Sequence, residues 1–232
     1  MPRTARLIVP GYPHHVIQRG HNRQAVFVTN EDYQYYLDNL CEWKEKLGCL
    51  VYAYCLMTNH IHLVIDPGQE EKNLAQLMKR VAGRQTRYVN KIEKRTGSLW
   101  EGRYKSSPIS TNEYLLACCR YVELNPVRVG IVKKPLEYRW SSYNSKIDVT
   151  EQHLLLDYDP CYIELAGSKE ERAKKYSEWV TKSASEGELD QIRQSLQRGQ
   201  LTGSKRFVDE IEQKIKKRIE FRGQGRPSKP GK

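Results

Sequence analysis

Two histidines two residues apart open an apolar run, Thr58-Asn59-His60-Ile61-His62-Leu63-Val64-Ile65. Successive side chains of a β-strand point to opposite faces, so His60 and His62 project from one face and Ile61, Leu63 and Ile65 from the other. Two neutral imidazoles on one face can bind a divalent ion, and two ligands leave most of its coordination sphere to water and substrate. An open site of that kind suits a phosphodiester, because the ion polarises a phosphoryl oxygen and stabilises charge during in-line displacement. The nucleophile is then either a metal-bound water, which gives hydrolysis, or a side chain, which gives a covalent intermediate. Tyr121 is the side-chain candidate. It lies in a helical pattern that ends at Asn125-Pro126, and residues four apart share a helix face, so Asn125 could offer its amide oxygen as a third, hard ligand. A phenol, with a pKa of about 10, leaves far more readily than an alkoxide, so a phosphotyrosine link would keep the bond energy for rejoining.

The rest of the chain must supply a substrate surface and a scaffold. In its 232 residues, 39 Lys and Arg stand against 28 Asp and Glu, a net charge of +11 with a pI near 9.3. That excess attracts polyanions, and nucleic acid is the better fit than an anionic membrane. No apolar stretch approaches the ~18 residues a bilayer span requires, and no signal-peptide h-region opens the chain, so a cytoplasmic, nucleoid-associated protein is expected. The six cysteines show neither CxxC nor zinc-ribbon spacing, which leaves them as small buried thiols.

His14 to Arg19 has the β-branched content of a strand, ended by Gly20. Asn30-Glu31-Asp32 is a helix start, and Tyr33, Tyr36, Leu37, Leu40 and Trp43 recur at helical spacing until Gly48. Cys49 to Met57 and His60 to Ile65 form a hairpin about Thr58-Asn59. A long helix follows from Lys72 to Lys94, with Leu74, Leu77, Met78, Val81, Tyr88 and Val89 as its apolar stripe and Lys79, Arg80, Arg84, Arg87 and Lys91 around it. In Trp100-Glu101-Gly102-Arg103-Tyr104-Lys105 two aromatics interleave with two cations, a pattern that can stack a base and hold a phosphate, and the segment leads into a strand through Ile109. The next helix, from Thr111, carries Tyr121 and is broken by Asn125-Pro126. This order predicts the α+β class: an antiparallel sheet with helices on one face.

Residues 1–145 form the expected catalytic domain. Residues 144–165 read as irregular, and the accessory region of 146–222 turns into charged helices from 168, where Phe207, Val208, Ile211, Ile215 and Ile219 make a docking stripe. Residues 223–232 read as a disordered basic tail, in which Gly225-Arg226-Pro227 is similar to the core of minor-groove-binding AT-hook peptides and makes Arg226 a candidate DNA contact.

Four blocks in order, Met57-Thr58-Asn59-His60-Ile61-His62-Leu63-Val64, Leu99 to Ser106, Arg120-Tyr121-Val122-Glu123-Leu124-Asn125-Pro126-Val127-Arg128 and Trp140-Ser141-Ser142-Tyr143, resemble those of the Y1 single-tyrosine transposases. The likeness is greatest to the REP-associated branch related to IS200/IS605 elements, and it covers about residues 1–145. It implies a ferredoxin-like core of the HUH class and a single-stranded DNA endonuclease and strand transferase. His60 and His62 would hold Mg²⁺ or Mn²⁺, and Tyr121 would form a 5′-phosphotyrosine and free a 3′-hydroxyl. Insertion-sequence relatives carry a glutamine four residues after the tyrosine, where this chain has the shorter Asn125, whose place before Pro126 disfavours helical backbone angles. Tyr114, seven residues or about two helical turns earlier, is the fallback nucleophile. The implied substrates are single-stranded DNA hairpins of REP-like palindromes, bound by a monomer or a homodimer. The contacts would come from Arg19, Lys79, Arg80, Arg84, Arg87, Trp100, Arg103 and Lys105. A non-catalytic hairpin-binding regulator and a phosphodiesterase with a water nucleophile are the alternative readings.

Overall fold

The apolar alternation of the histidine strand sets the register of the whole sheet. In the computed structural model, which describes residues 6–150, 154–182, 184–216 and 219, β1 (His14–Arg19), β2 (Leu50–Met57), β3 (His60–Asp66) and β4 (Lys105–Pro108) form one sheet in the order β2-β3-β1-β4. Every neighbouring pair is antiparallel. With α1 (Asn30–Leu47) between β1 and β2 and α2 (Glu71–Ile92) between β3 and β4, this is the ferredoxin-like arrangement. The central β3 pairs His60 with Arg19 and His62 with Ile17 across to β1, and directly opposed residues share a face.

Helix α1 starts where Asp32 accepts the backbone N–H groups of Val28 (2.7 Å) and Thr29 (2.9 Å), and it stops at Gly48, whose φ of 64° is cheap only for glycine. Its Tyr36 and Leu40 pack with Leu74, Leu77 and Val81 of α2 on Val16, Ile61, Leu63 and Ile65. These two crossover helices therefore share one face, the face opposite the histidine pair. Helix α3 (Thr111–Glu123) covers the other side, laying Leu115, Cys118, Cys119 and Val122 on Ala53, Cys55 and Val64. A register shift between Val51 and Ala53 turns both Tyr52 and Ala53 toward α3, which widens the surface that this helix covers.

The expected break at Asn125-Pro126 is a kink. The helix pauses at Leu124 (φ −86°, ψ 3°) and resumes as α4 (Asn125–Arg128), where Pro126 sits in the first turn and its missing N–H removes no intrahelical bond. The strand expected after the Trp100 segment begins at Lys105 and ends at Pro108. Glu101, Gly102 and Arg103 are exposed, and Trp100 keeps a single bridge to Gly20.

Residues 144–165 are more ordered than expected: they contain most of α5 (Tyr143–Ile147) and all of α6 (Pro160–Ile163). The charged helices follow as α7 (Lys169–Thr181), α8 (Glu186–Arg198) and α9 (Lys205–Ile215). Phe207, Val208 and Ile211 of α9 bury against Val9 and Leu201, with Ile215 and Ile219 partly packed behind them. Ile192 of α8 joins the layer beneath α3. Tyr143, Tyr162, Tyr176 and Val180 close a further cluster around α5, α6 and α7. Residues 223–232, with Arg226, lie outside the described residues. Among the described residues no helix is long and apolar enough to cross a membrane, and all six cysteines are free thiols.

Candidate active site

The face of the sheet beneath α3 gathers His15, His60, His62 and Tyr121. The rings of His60 and His62 are 5.2 Å apart, and Tyr121 approaches His62 at 6.1 Å and His15 at 5.5 Å between ring centroids. Two of these residues come from the strand pattern, one from the helix above it, and His15 from the neighbouring strand β1.

Each histidine of the pair is held through its Nδ1. The side-chain nitrogen of Asn59 donates to the Arg23 carbonyl (3.1 Å), which turns the Asn59 oxygen toward His60 Nδ1 at 2.6 Å. An amide oxygen only accepts, so His60 carries its proton on Nδ1 and keeps the Nε2 lone pair. His62 Nδ1 lies 3.0 Å from His15 Nε2. The tautomer in which His62 donates this bond leaves its own Nε2 free to ligate. Burial, reinforced by Arg19, brings the His60 pKa down to about 4. Burial again, with His15, His60, Arg128 and Arg19 adding to it, holds His62 well below the usual range. Both imidazoles are thus neutral at pH 7, the form that binds a cation.

The close turn before Asn59 depends on Gly20. A Cβ there would stand 2.4 Å from the Gln24 carbonyl oxygen, and Gly20 N–H donates to the Asn59 carbonyl at 2.8 Å. Asn22 and Arg23 follow with φ of 49° and 58°, a left-handed pair in the stretch that carries the carbonyl holding Asn59.

Tyr121 is buried against two guanidinium groups. Arg128 of α4 lies 3.7 Å over its ring, and Arg193 of α8 stands beside its hydroxyl. Asn125 is also buried, and its amide nitrogen donates back to the Tyr121 and Val122 carbonyls, both at 3.2 Å. Its oxygen is therefore the end a cation could meet. Among the described residues no group of three His, Cys, Asp or Glu could hold a metal ion, and the donors that this face of the sheet brings together are the two imidazoles. They suit an open site with most positions left to water and phosphate. The fallback Tyr114 donates to Gln191 of α8 at 2.6 Å.

The expected DNA contacts fall into three groups. Arg19, opposite His60, and Lys105, opposite Ile17, are exposed on the histidine face of the sheet. Lys79, Arg80 and Arg87 are exposed on α2, which covers the other face, and Arg103 is exposed in the loop before β4. Arg84 is engaged with Glu42 and with Asn39 (2.7 Å), while Trp100 is buried with its indole N–H on the Ala82 carbonyl at 3.1 Å. Sequence reasoning passed over His15, Arg128 and Arg193. His15 carried a signal in its alternation with Ile17 on the strand beside the pair, and Arg128 stood inside the tyrosine block.

The family described as Transposase IS200 like matches residues 9–125, half of the 232-residue chain. The chain belongs to this family. The IS200-like match begins just before β1 and ends at Asn125, so it contains both histidines, the tyrosine helix and every strand of the sheet. No curated protein sequence matches the chain. Among solved structures, a REP-associated tyrosine transposase bound to a REP hairpin is 16% identical with a TM-score of 0.57, over 68% of this chain and 93% of that one. A Deinococcus radiodurans protein described as a candidate transposase is 20% identical with a TM-score of 0.35, over 50% of this chain and 91% of that one. The first of these shares the fold of this IS200-like protein.

Proposed function

We propose that this transposase is a metal-dependent single-stranded DNA endonuclease and strand transferase that cuts and rejoins DNA beside short hairpins through a 5′-phosphotyrosine link on Tyr121. The observation that carries the reading is the convergence of Tyr121 with two neutral, Nδ1-anchored imidazoles beneath one helix. His60 and His62 would hold Mg²⁺ or Mn²⁺, with the Asn125 oxygen as the further donor, and the ion would polarise a phosphoryl oxygen. The Tyr121 hydroxyl gives up its proton as its oxygen bonds to phosphorus, the P–O3′ bond breaks, and the departing O3′ takes up a proton to leave as a 3′-hydroxyl. Rejoining reverses this: a 3′-hydroxyl attacks and the phenol leaves, with no nucleotide cofactor consumed. Arg128 and Arg193 set two cations at the phenol, where the phosphate must arrive. The net charge, and the hairpin held by the structural relative, support a DNA hairpin as substrate.

The test uses a hairpin selected by the protein itself from an oligonucleotide pool with randomised stem and flanks. Labelled at either end and incubated with Mg²⁺ or Mn²⁺, it should yield a denaturant-stable protein–DNA adduct that is lost in Tyr121→Phe and His60→Ala and kept in Tyr114→Phe. An adduct that survives Tyr121→Phe refutes the nucleophile. Cleavage without an adduct points to a water nucleophile, and binding with neither points to a hairpin-binding regulator.

A further inference from the structure

A cavity of about 340 Å³ opens beside Tyr121, walled on one side by α3 and α4 and on the other by the end of α7 and the start of α8. That volume lies in the range of small-ligand pockets. Its floor is apolar, from Leu124, Val127, Val180 and Leu189, and its cations are Arg120, Arg128, Lys133, Lys134 and Lys182. Among the described residues no carboxylate lines it.

The cations are not equivalent. Arg120 is satisfied by Glu188 and by stacking over Trp179 at 4.1 Å. Arg128 is held over the Tyr121 ring, yet its Nη2 is buried without a hydrogen-bond partner among the described residues. A guanidinium N–H left dry in this way carries a desolvation cost, which is recovered if the side chain turns Nη2 toward an anion held in the cavity it lines. An apolar floor beneath a cationic wall is also the pairing that single-stranded DNA offers in reverse, an apolar base face joined to a phosphate.

We infer that this cavity is a subsite for the nucleotide joined to the scissile phosphate, with Arg128 as its phosphate ligand and Lys182, Ala184 and Leu189 in its outer wall. The inference rests on the proposed strand-transfer reading and adds to it a role for the accessory helices: they complete a DNA pocket that the α3–α4 unit can only half enclose. Arg128 then serves two neighbours at once, the ring of Tyr121 and the phosphate beside the bond to be cut.

The experiment measures fluorescence anisotropy with the full chain in EDTA, using the selected hairpin in two forms, one continuing into its single-stranded flanks and one trimmed to the stem-loop. The wild-type protein should bind the flanked form more tightly. Arg128→Leu should lose about tenfold of that affinity, as expected for one hydrogen bond to a charged partner, while trimmed-hairpin binding stays within about twofold. Ala184→Trp, which fills the cavity without altering charge, should lose the same increment and decides the matter if Arg128→Leu does not fold. A flank increment that persists in the folded variants overturns the subsite, as does its absence from the wild type while trimmed-hairpin binding is intact. Failure of the wild type to bind either form would instead overturn the hairpin-directed function.

Discussion

Replacing Lys146 with methionine should cost the protein about 3–5 kcal/mol, the penalty for removing one partner from a buried ion network. Lys146, Glu123 and Asp159 have no exposed side-chain surface, and the ammonium lies 3.3 Å from Glu123 and 3.8 Å from Asp159. Burial works to strip the lysine of its proton, but the groups facing it, Cys119, Glu123 and Asp159, outweigh that and hold its pKa above the usual range. Glu123 also accepts from Ser142 (2.7 Å) and Tyr176 (2.6 Å), whereas Asp159 Oδ2 has no hydrogen bond among the described residues and faces only the lysine charge. Methionine keeps most of the apolar stem and removes the charge, so two dry carboxylates would face each other with no counter-ion. Urea unfolding at pH 7 should register the loss. The deficit should narrow on acidification, because protonating a carboxyl in the folded variant removes the excess charge, so the variant gains stability relative to wild type as pH falls. Hydrogen exchange should report faster opening in α3 as well as in α5 to α7, since Glu123 belongs to α3. A loss below about 1 kcal/mol, or faster exchange confined to residues beyond 142, would refute the claim that this network anchors the tyrosine helix.

Further consequences follow from other contacts. His14 is fully buried and neutral, with Nδ1 2.8 Å from the Tyr12 carbonyl and Nε2 accepting from Val9 N–H, and burial brings its pKa from 6.5 to about 4. The unfolded chain therefore binds the extra proton, so this stability is present above pH 6.5 and is lost as pH falls toward 4, by ~3 kcal/mol for the full step. Urea midpoints measured across that window should fall more steeply for wild type than for His14→Gln. Gly20→Ala should force the turn open through its 2.4 Å approach to the Gln24 carbonyl and release Asn59 from His60, which a weakened Mn²⁺ affinity by calorimetry would register. Trp100→Ala should cost about 3–5 kcal/mol as a core deletion. At a temperature where the variant is folded, its hairpin affinity should match wild type, and a large affinity loss there would return the indole to the DNA surface. Hairpin affinity should also fall linearly on a log–log plot against salt, and a flat dependence would exclude phosphate contacts as its main source.

What could be read from the sequence was whatever repeats with a short period. The alternation in β3 placed His60 and His62 on one face and Ile61, Leu63 and Ile65 on the other, and the strand and helix order carried the antiparallel α+β sheet, because each signal lies within a few residues of the group it positions. What could not be read was which charges are spoken for. Arg84 and Arg87 stand three residues apart on one basic helix, yet Arg84 is bound to Glu42, a partner 42 positions away, and Arg87 is exposed. Lys146, in a stretch that read as irregular, is the centre of a dry network spanning residues 123 to 176. Spacing does not encode such partners, since they are set by which helices the sheet brings together. The same limit hid Arg128, one of many cations by sequence and distinguished only once the fold had buried its guanidinium against Tyr121 with Nη2 unpaired. A count of +11 can attract DNA, but under the inferred subsite the place of the strand is set by the cation that the protein itself leaves unsatisfied.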